Sequence, residues 1–189
     1  MQVEQTGFPG LFVITPNRFG DMRGFFAETY NHAKIIDMGG PTAFVQDNHS
    51  LSTQIGTIRG LHFQVPPKAQ AKLVRCGRGL LFDVAVDLRR GSPTYGRWFG
   101  VELSFENGKQ ILIPEGFAHG FVTRTPDTEI VYKCSEFYAP ETEQALRFDD
   151  PDLSIDWGLG TIEPILSDKD AAAGYFSQFD SPFLYHAPT

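Results

Sequence analysis

His62 and His119 carry the most versatile chemistry in this chain, and each lies in a strand-like segment framed by Gly or Pro. The first segment reads Gly56-Thr57-Ile58-Arg59-Gly60-Leu61-His62-Phe63-Gln64, and the second Gly108-Lys109-Gln110-Ile111-Leu112-Ile113-Pro114-Glu115-Gly116-Phe117-Ala118-His119. A histidine on a strand can serve as a general base, a metal ligand or a hydrogen-bonded core residue. Arg59, Lys72 and Arg75 form a dense set of cations around His62 in a chain that is acidic overall, and Tyr132 supplies a phenol that can donate or accept a proton. The structural alternative is a solvated rim of charges around a packed histidine.

Such side chains need elements to aim them. Short alternating or β-branched runs recur between Gly, Pro, Asn and Asp at 11–15, 25–30, 43–50, 57–64, 70–76, 80–88, 97–103, 110–113, 119–123 and 129–134. Many short strands at close, even spacing read as an antiparallel sandwich or barrel. Helical periodicity is weak and confined to 31–38 and 169–176. The stretch after Tyr138 is richer in Pro, Asp and Gly and is expected to wrap the barrel as an appendage. Side-chain alternation puts Phe82, Val84, Val86 and Leu88 on one strand face and Asp83, Ala85 and Asp87 on the other, so the second face is wet or lines a polar pocket. Strict alternation sets Arg59 opposite His62, unless Gly60 marks a bulge that re-aims one of them.

The chain has 189 residues, 41% of them hydrophobic, and no low-complexity tract. It is long enough to bury one substantial core, and one domain over 1–189 is expected. Seventeen Phe residues supply much of that core. A formal charge of -7 argues against a nucleic-acid partner, whereas a small anionic ligand needs only a local basic cluster. Cys76 and Cys134 are the only cysteines and are expected to be buried and reduced. The N-terminus lacks a basic and apolar leader, and no apolar run approaches the roughly 18 residues needed to span a bilayer. A soluble, cytoplasmic protein without a membrane partner is expected.

The segments ending at His62 and His119 resemble the two motifs of the cupin superfamily. In the metal-binding form of that pattern, a His-x-His pair, a following Glu and the second-motif His supply four ligands. Here Gln64 stands at the second His, and Lys68 and Ala69 occupy the Glu positions. A metal held by His62 and His119 alone would be under-coordinated, so no metal is expected and His62 is left free to transfer protons. Seven blocks then occur in order: Asp21-Met22-Arg23-Gly24-Phe25-Phe26-Ala27-Glu28, Gln46-Asp47-Asn48-His49-Ser50, Arg59-Gly60-Leu61-His62-Phe63-Gln64, Lys72-Leu73-Val74-Arg75, Asp83-Val84-Ala85-Val86-Asp87, Ile113-Pro114-Glu115-Gly116-Phe117-Ala118-His119-Gly120-Phe121 and Leu166-Ser167-Asp168-Lys169-Asp170. Together they resemble the dTDP-4-dehydrorhamnose 3,5-epimerase family over nearly the whole chain.

The resemblance implies an all-β fold, a cupin-type antiparallel β-sandwich or jelly-roll barrel with a few short peripheral helices. It implies a cofactor-free isomerase of dTDP-L-rhamnose biosynthesis that acts on dTDP-4-dehydro-6-deoxy-D-glucose. The 4-keto group acidifies the hydrogens on C3 and C5, so a base can take either to give an enolate, and reprotonation from the opposite face inverts the centre. Carried over by position, His62 is the base, Asp170 its orienting carboxylate, Lys72 the stabiliser of enolate charge and Tyr132 the opposite-face proton donor. Arg23, Glu28, Gln46, Asp47, Asn48, Arg59, Lys72, His119, Tyr138, Glu143 and Lys169 fall to nucleotide-sugar binding. Phe19, Phe26 and Tyr138 are candidate base-stacking surfaces, with core packing the alternative for both Phe residues. Asp83 is read either as a partner of Lys72 or as a structural pocket carboxylate. The family also implies a homodimer whose N-terminal strands join the partner's sheet. The rivals are a sister enzyme acting at C3 or C5 alone, a non-catalytic cupin that binds a sugar nucleotide, and a metal-dependent cupin enzyme, which Gln64 and the missing Glu oppose.

Overall fold

The computed structural model describes residues 1–187. Its strands in chain order are β1 (Gln2–Gln5), β2 (Phe12–Thr15), β3 (Arg18–Asp21), β4 (Gly24–Ala27), β5 (Gln46–Ser52), β6 (Ile58–Gln64), β7 (Lys72–Arg78), β8 (Leu80–Asp87), β9 (Trp98–Ser104), β10 (Gln110–Ile113), β11 (Phe117–Thr123), β12 (Thr128–Cys134) and β13 (Glu143–Ala145). Helix α1 (His32–Asp37) is capped by the Asn31 side chain and α2 (Asp168–Ala171) by Ser167. Two sheets form, in the orders β1-β2-β10-β7-β12-β5 and β13-β6-β11-β8-β9, and β3 and β4 make a separate hairpin. The fold is an all-β sandwich of the cupin type with short peripheral helices, as the sequence predicts.

Alternation explains how three packed layers arise. Val74, Cys76 and Ile130 from the first sheet meet Leu81, Ala85 and Phe121 from the second in the central layer. Leu73 and Leu112 point the other way and pack against Ile35 of α1. Val84, Val86 and Leu88 leave the outer face of the second sheet and are covered by Leu153, Trp157 and Phe183. The segment after Tyr138 is therefore no appendage. Both faces of β8 are covered, so its apolar face needs this wrap to exclude water. Among the described residues, no helix is long and apolar enough to cross a membrane. Cys76 and Cys134 are buried free thiols, and burial pushes Cys76 up to about 11.

Candidate active site

A cavity of about 420 Å³ opens between the sheets. The second sheet contributes Arg59, His62, His119 and Phe121 to its wall, while Ser50, Lys72 and Tyr132 face it from the first. Ile165 to Ser167 and Asp170 close one side.

Arg59 and His62 share this cavity because β6 carries an extra residue. On β11, two positions separate His119 and Phe121, but their partners His62 and Arg59 are three apart, so the register shifts. The extra residue lies at Gly60 and Leu61. Gly60 has φ of +118°, and a Cβ there would meet Gly120 Cα and the His119 carbonyl oxygen at 2.6 Å. Only glycine fits, and the resulting bulge puts two basic side chains three residues apart on the same face.

His62 pairs with Asp170, Nε2 to Oδ1, at 2.5 Å. Ser167 donates to Asp170 Oδ2 at 2.8 Å, so both carboxylate oxygens are engaged. Burial alone would push the Asp170 carboxyl up, but hydrogen bonds from His62 and Ser167 outweigh it and hold the group below its ordinary value. The second histidine repeats the arrangement deeper in the sandwich, with His119 Nε2 2.9 Å from Asp83 Oδ2. Burial pushes the Asp83 carboxyl up, against the opposing pull of His119 and Lys72. Lys72 is lowered by burial, with Cys134, Asp83 and Glu143 acting in the other direction. Burial also raises the Tyr132 phenol, which keeps its proton on.

Toward the mouth, a smaller cavity of about 100 Å³ shares His62, Lys72 and Tyr132 and adds Gln46, Asn48, Tyr138 and Glu143. Tyr138 Oη donates to Glu143 Oε2 at 2.7 Å, and Lys169 Nζ lies 2.5 Å from the same oxygen. Burial would raise Glu143, yet the bonds from Lys169 and Tyr138 lower it. Arg59 is held by Ser52 Oγ and the Leu51 carbonyl, both at 3.1 Å.

Several expected residues stand elsewhere. Asp47 alternates to the outer face of β5 and pairs with Lys133 at 2.9 Å, so its carboxylate does not line the cavity. Arg75 likewise points outward from β7, between the inward Val74 and Cys76, and does not join the cations around His62. Glu28 is occupied by Lys34 at the start of α1. Arg23 sits on the exposed β3–β4 hairpin, paired with Asp21, and its side chain is 85% exposed. Sequence reasoning gave no place to Ser167, which anchors Asp170; its capping spacing, Ser-x-x-Asp, was the available signal.

The cupin metal pattern does not fit this site. Gln64 spends its amide on backbone, donating to the Lys68 and Phe137 carbonyls and accepting from Ala139 N, so it ties two loops together. Among the described residues, no group of three or more His, Cys, Asp or Glu side chains is arranged to hold a metal ion.

The sequence profile of dTDP-4-dehydrorhamnose 3,5-epimerase matches residues 5–178. A dTDP-4-dehydrorhamnose 3,5-epimerase from Sinorhizobium fredii is 50% identical over 173 residues, covering 92% of this chain and 88% of the relative. A crystal structure of dTDP-6-deoxy-D-glucose-3,5-epimerase from Legionella pneumophila, in complex with dTDP-4-keto-L-rhamnose, superposes with a TM-score of 0.93. It is 44% identical and the match covers 98% of this chain and 99% of that one. A 3′-monoepimerase from Streptomyces bikiniensis, in complex with dTDP-quinovose, is more distant, with 36% identity, a TM-score of 0.84 and coverage of 90% and 85%. With a profile spanning most of its length, and close relatives covered almost end to end, the chain belongs to the dTDP-4-dehydrorhamnose 3,5-epimerase family of isomerases.

Proposed function

We propose that this epimerase divides its proton transfers between the two sheets, with His62 as base on one side of the sugar and Tyr132 as acid on the other. The reaction is the 3,5-epimerisation of dTDP-4-dehydro-6-deoxy-D-glucose. One observation carries the division of labour: His62 on β6 and Tyr132 on β12 belong to opposing sheets and line the same cavity. A ring lying between the sheets meets a base on one face and a phenol on the other. The proton leaves carbon for His62 as its bonding pair moves into the C–C–O system. Lys72 stabilises the enolate oxygen, and the Tyr132 proton goes to the opposite face of the carbon. Solvent then reprotonates the phenolate and takes the proton from His62, which resets the site.

Asp170 fixes the imidazole by accepting from Nε2, leaving Nδ1 for the substrate. Arg59 and Lys169 supply positive charge for the diphosphate, Tyr138 a stacking surface for the base, and Gln46, Asn48, His119 and Glu143 polar partners for the nucleotide sugar. Arg23 and Glu28, remote from the cavity of their own chain, serve the site of a second copy. This reading rests on the exposure of the β3–β4 hairpin, where Phe19 is 64%, Phe26 70% and Met22 100% exposed, and on β1, an edge strand with all four residues exposed. The working enzyme is thus a homodimer, each chain acting as one domain, in the cytoplasm where nucleotide sugars are made.

Incubation with dTDP-4-dehydro-6-deoxy-D-glucose in deuterated water tests the reaction. Deuterium at both C3 and C5, with both centres inverted, is the expected product. Label and inversion at one centre alone would make the chain a monoepimerase, the activity named for the Streptomyces bikiniensis relative.

A further inference from the structure

Tyr138, the ring assigned to the nucleotide base, is 54% exposed, yet the backbone beneath it is held on both sides. Three glutamine side chains hold it. Gln70 Nε2 donates to the Glu136 carbonyl at 2.8 Å, and Gln46 Oε1 accepts from Tyr138 N at 2.9 Å. Gln64, the last residue of β6, brackets the tyrosine: its Nε2 donates to the Phe137 carbonyl at 3.2 Å, and its Oε1 accepts from Ala139 N at 2.9 Å. Nε2 also donates to the Lys68 carbonyl at 2.6 Å, so a side chain only 3% exposed joins two loops. The far end of the ring is fixed as well, because Tyr138 Oη donates to Glu143, which pairs with Lys169. Any shift of residues 137–139 would break two hydrogen bonds of one buried amide at once, and unpaired buried polar groups are costly.

An exposed aromatic on an irregular loop ordinarily loses backbone and rotamer freedom when a ligand settles on it, and that loss subtracts from affinity. Resting on the reading of Tyr138 as the stacking surface, we propose that Gln64 is a positioning residue for nucleotide recognition, holding Tyr138 in its base-stacking place before the substrate arrives. The ordering is then completed on folding rather than on binding. Gln64 lies two residues beyond His62 on the same face of β6, and both line the smaller cavity with Tyr138 and Glu143. One strand thus carries the residue that faces the reacting sugar and the residue that anchors the loop meeting the aromatic end of the nucleotide.

The test is Gln64→Met, alone and combined with Tyr138→Ala, read as equilibrium binding of dTDP to the folded proteins and as the split between kcat and KM. Gln64→Met keeps the length and bulk of the side chain and removes its amide. It is expected to weaken dTDP binding by about 5- to 10-fold, the worth of ordering a side chain and its loop at the moment of binding, and to raise KM far more than it lowers kcat. In the Tyr138→Ala background the same substitution should cost almost no further affinity, since its effect runs through a ring already gone. Unchanged dTDP affinity in folded Gln64→Met, or losses that multiply in the double variant, would overturn the proposal and leave Gln64 as a tie between loops. Should Gln64→Met not fold, the wild type decides alone. Without ligand, the backbone ¹⁵N order parameters of residues 137–139 should already be about 0.85, the value of rigid backbone. Values that start lower and rise when dTDP is added would show a loop ordered by the ligand, and would overturn the proposal equally. Wild-type dTDP affinity in Tyr138→Ala would instead sink the stacking role of Tyr138, a separate failure that takes the role of Gln64 with it.

Discussion

A carboxylate shut away from water ordinarily resists ionisation, yet Asp170 is 4% exposed and held below its ordinary value by His62 and Ser167. The sign of the resulting pH dependence follows. A carboxyl depressed in the folded state stabilises it above the unfolded value, and that stability drains away as pH falls through the folded value. Urea unfolding of the wild type and Asp170→Asn should therefore differ most near neutrality and converge in acid. A gap that persists undiminished at low pH would mean that Asp170 supports the fold by packing alone. At neutral pH the same substitution should lower kcat by about 100-fold, the typical worth of a positioned acid–base pair. The sequence offered the pairing of His62 with Asp170 only through family resemblance, because 108 positions separate the two and no local pattern links them. Asp47 shows the opposite case. Its outward direction was readable from strand alternation, which a motif carried over as a block overrides.

Ten of the strands lie in runs whose alternation or β-branching marks them in the sequence. β1, β3 and β13 escape such reading because they are short, polar or interrupted by Gly, and tertiary pairing alone defines them. The wrap after Tyr138 was legible as irregular chain but not as a core layer, since its apolar residues follow no period and gain meaning only against the outer face of β8. Gly60 was legible as a choice between strict alternation and a bulge. The bulge won because β6 and β11 approach too closely there for any side chain. Gly60→Ala should consequently cost about 1–3 kcal/mol of stability, from the unfavourable φ and the clash with Gly120. It should also lower kcat/KM disproportionately, because Arg59 and His62 are aimed by the same distortion. Denaturant midpoints and steady-state kinetics of the variant check both, and a wild-type rate in a destabilised protein would separate the bulge from the site's geometry.

At the scale of the molecule, the proposed acid Tyr132 and base His62 come from different sheets, and Arg23 of the β3–β4 hairpin is exposed and outside the lining of its own chain's cavity. If a second chain receives that hairpin, Arg23→Ala and His62→Ala are defective in complementary parts of two sites. Co-expressed, they should form mixed dimers with one intact site each and recover about a quarter of wild-type activity, given random pairing of two isologous chains. A monomer by sedimentation equilibrium, or no recovery in the mixture, would return Arg23 to the surface of its own chain. Nothing in composition signals the pairing; the exposed Phe19, Met22 and Phe26 become informative only once the fold shows that none of the described residues covers them. The most direct test of the two-sheet mechanism follows substrate hydrogens in deuterated water with Tyr132→Phe beside His62→Ala. His62→Ala should lose both exchange and turnover by about 100-fold or more, since no base opens the reaction. Tyr132→Phe should continue to exchange hydrogen for deuterium with retention of configuration, because the enolate still forms and recaptures a proton on the face it lost. If Tyr132→Phe stopped exchange as completely as His62→Ala, the phenol would be needed before the first proton leaves, and its assignment as the opposite-face donor would be wrong.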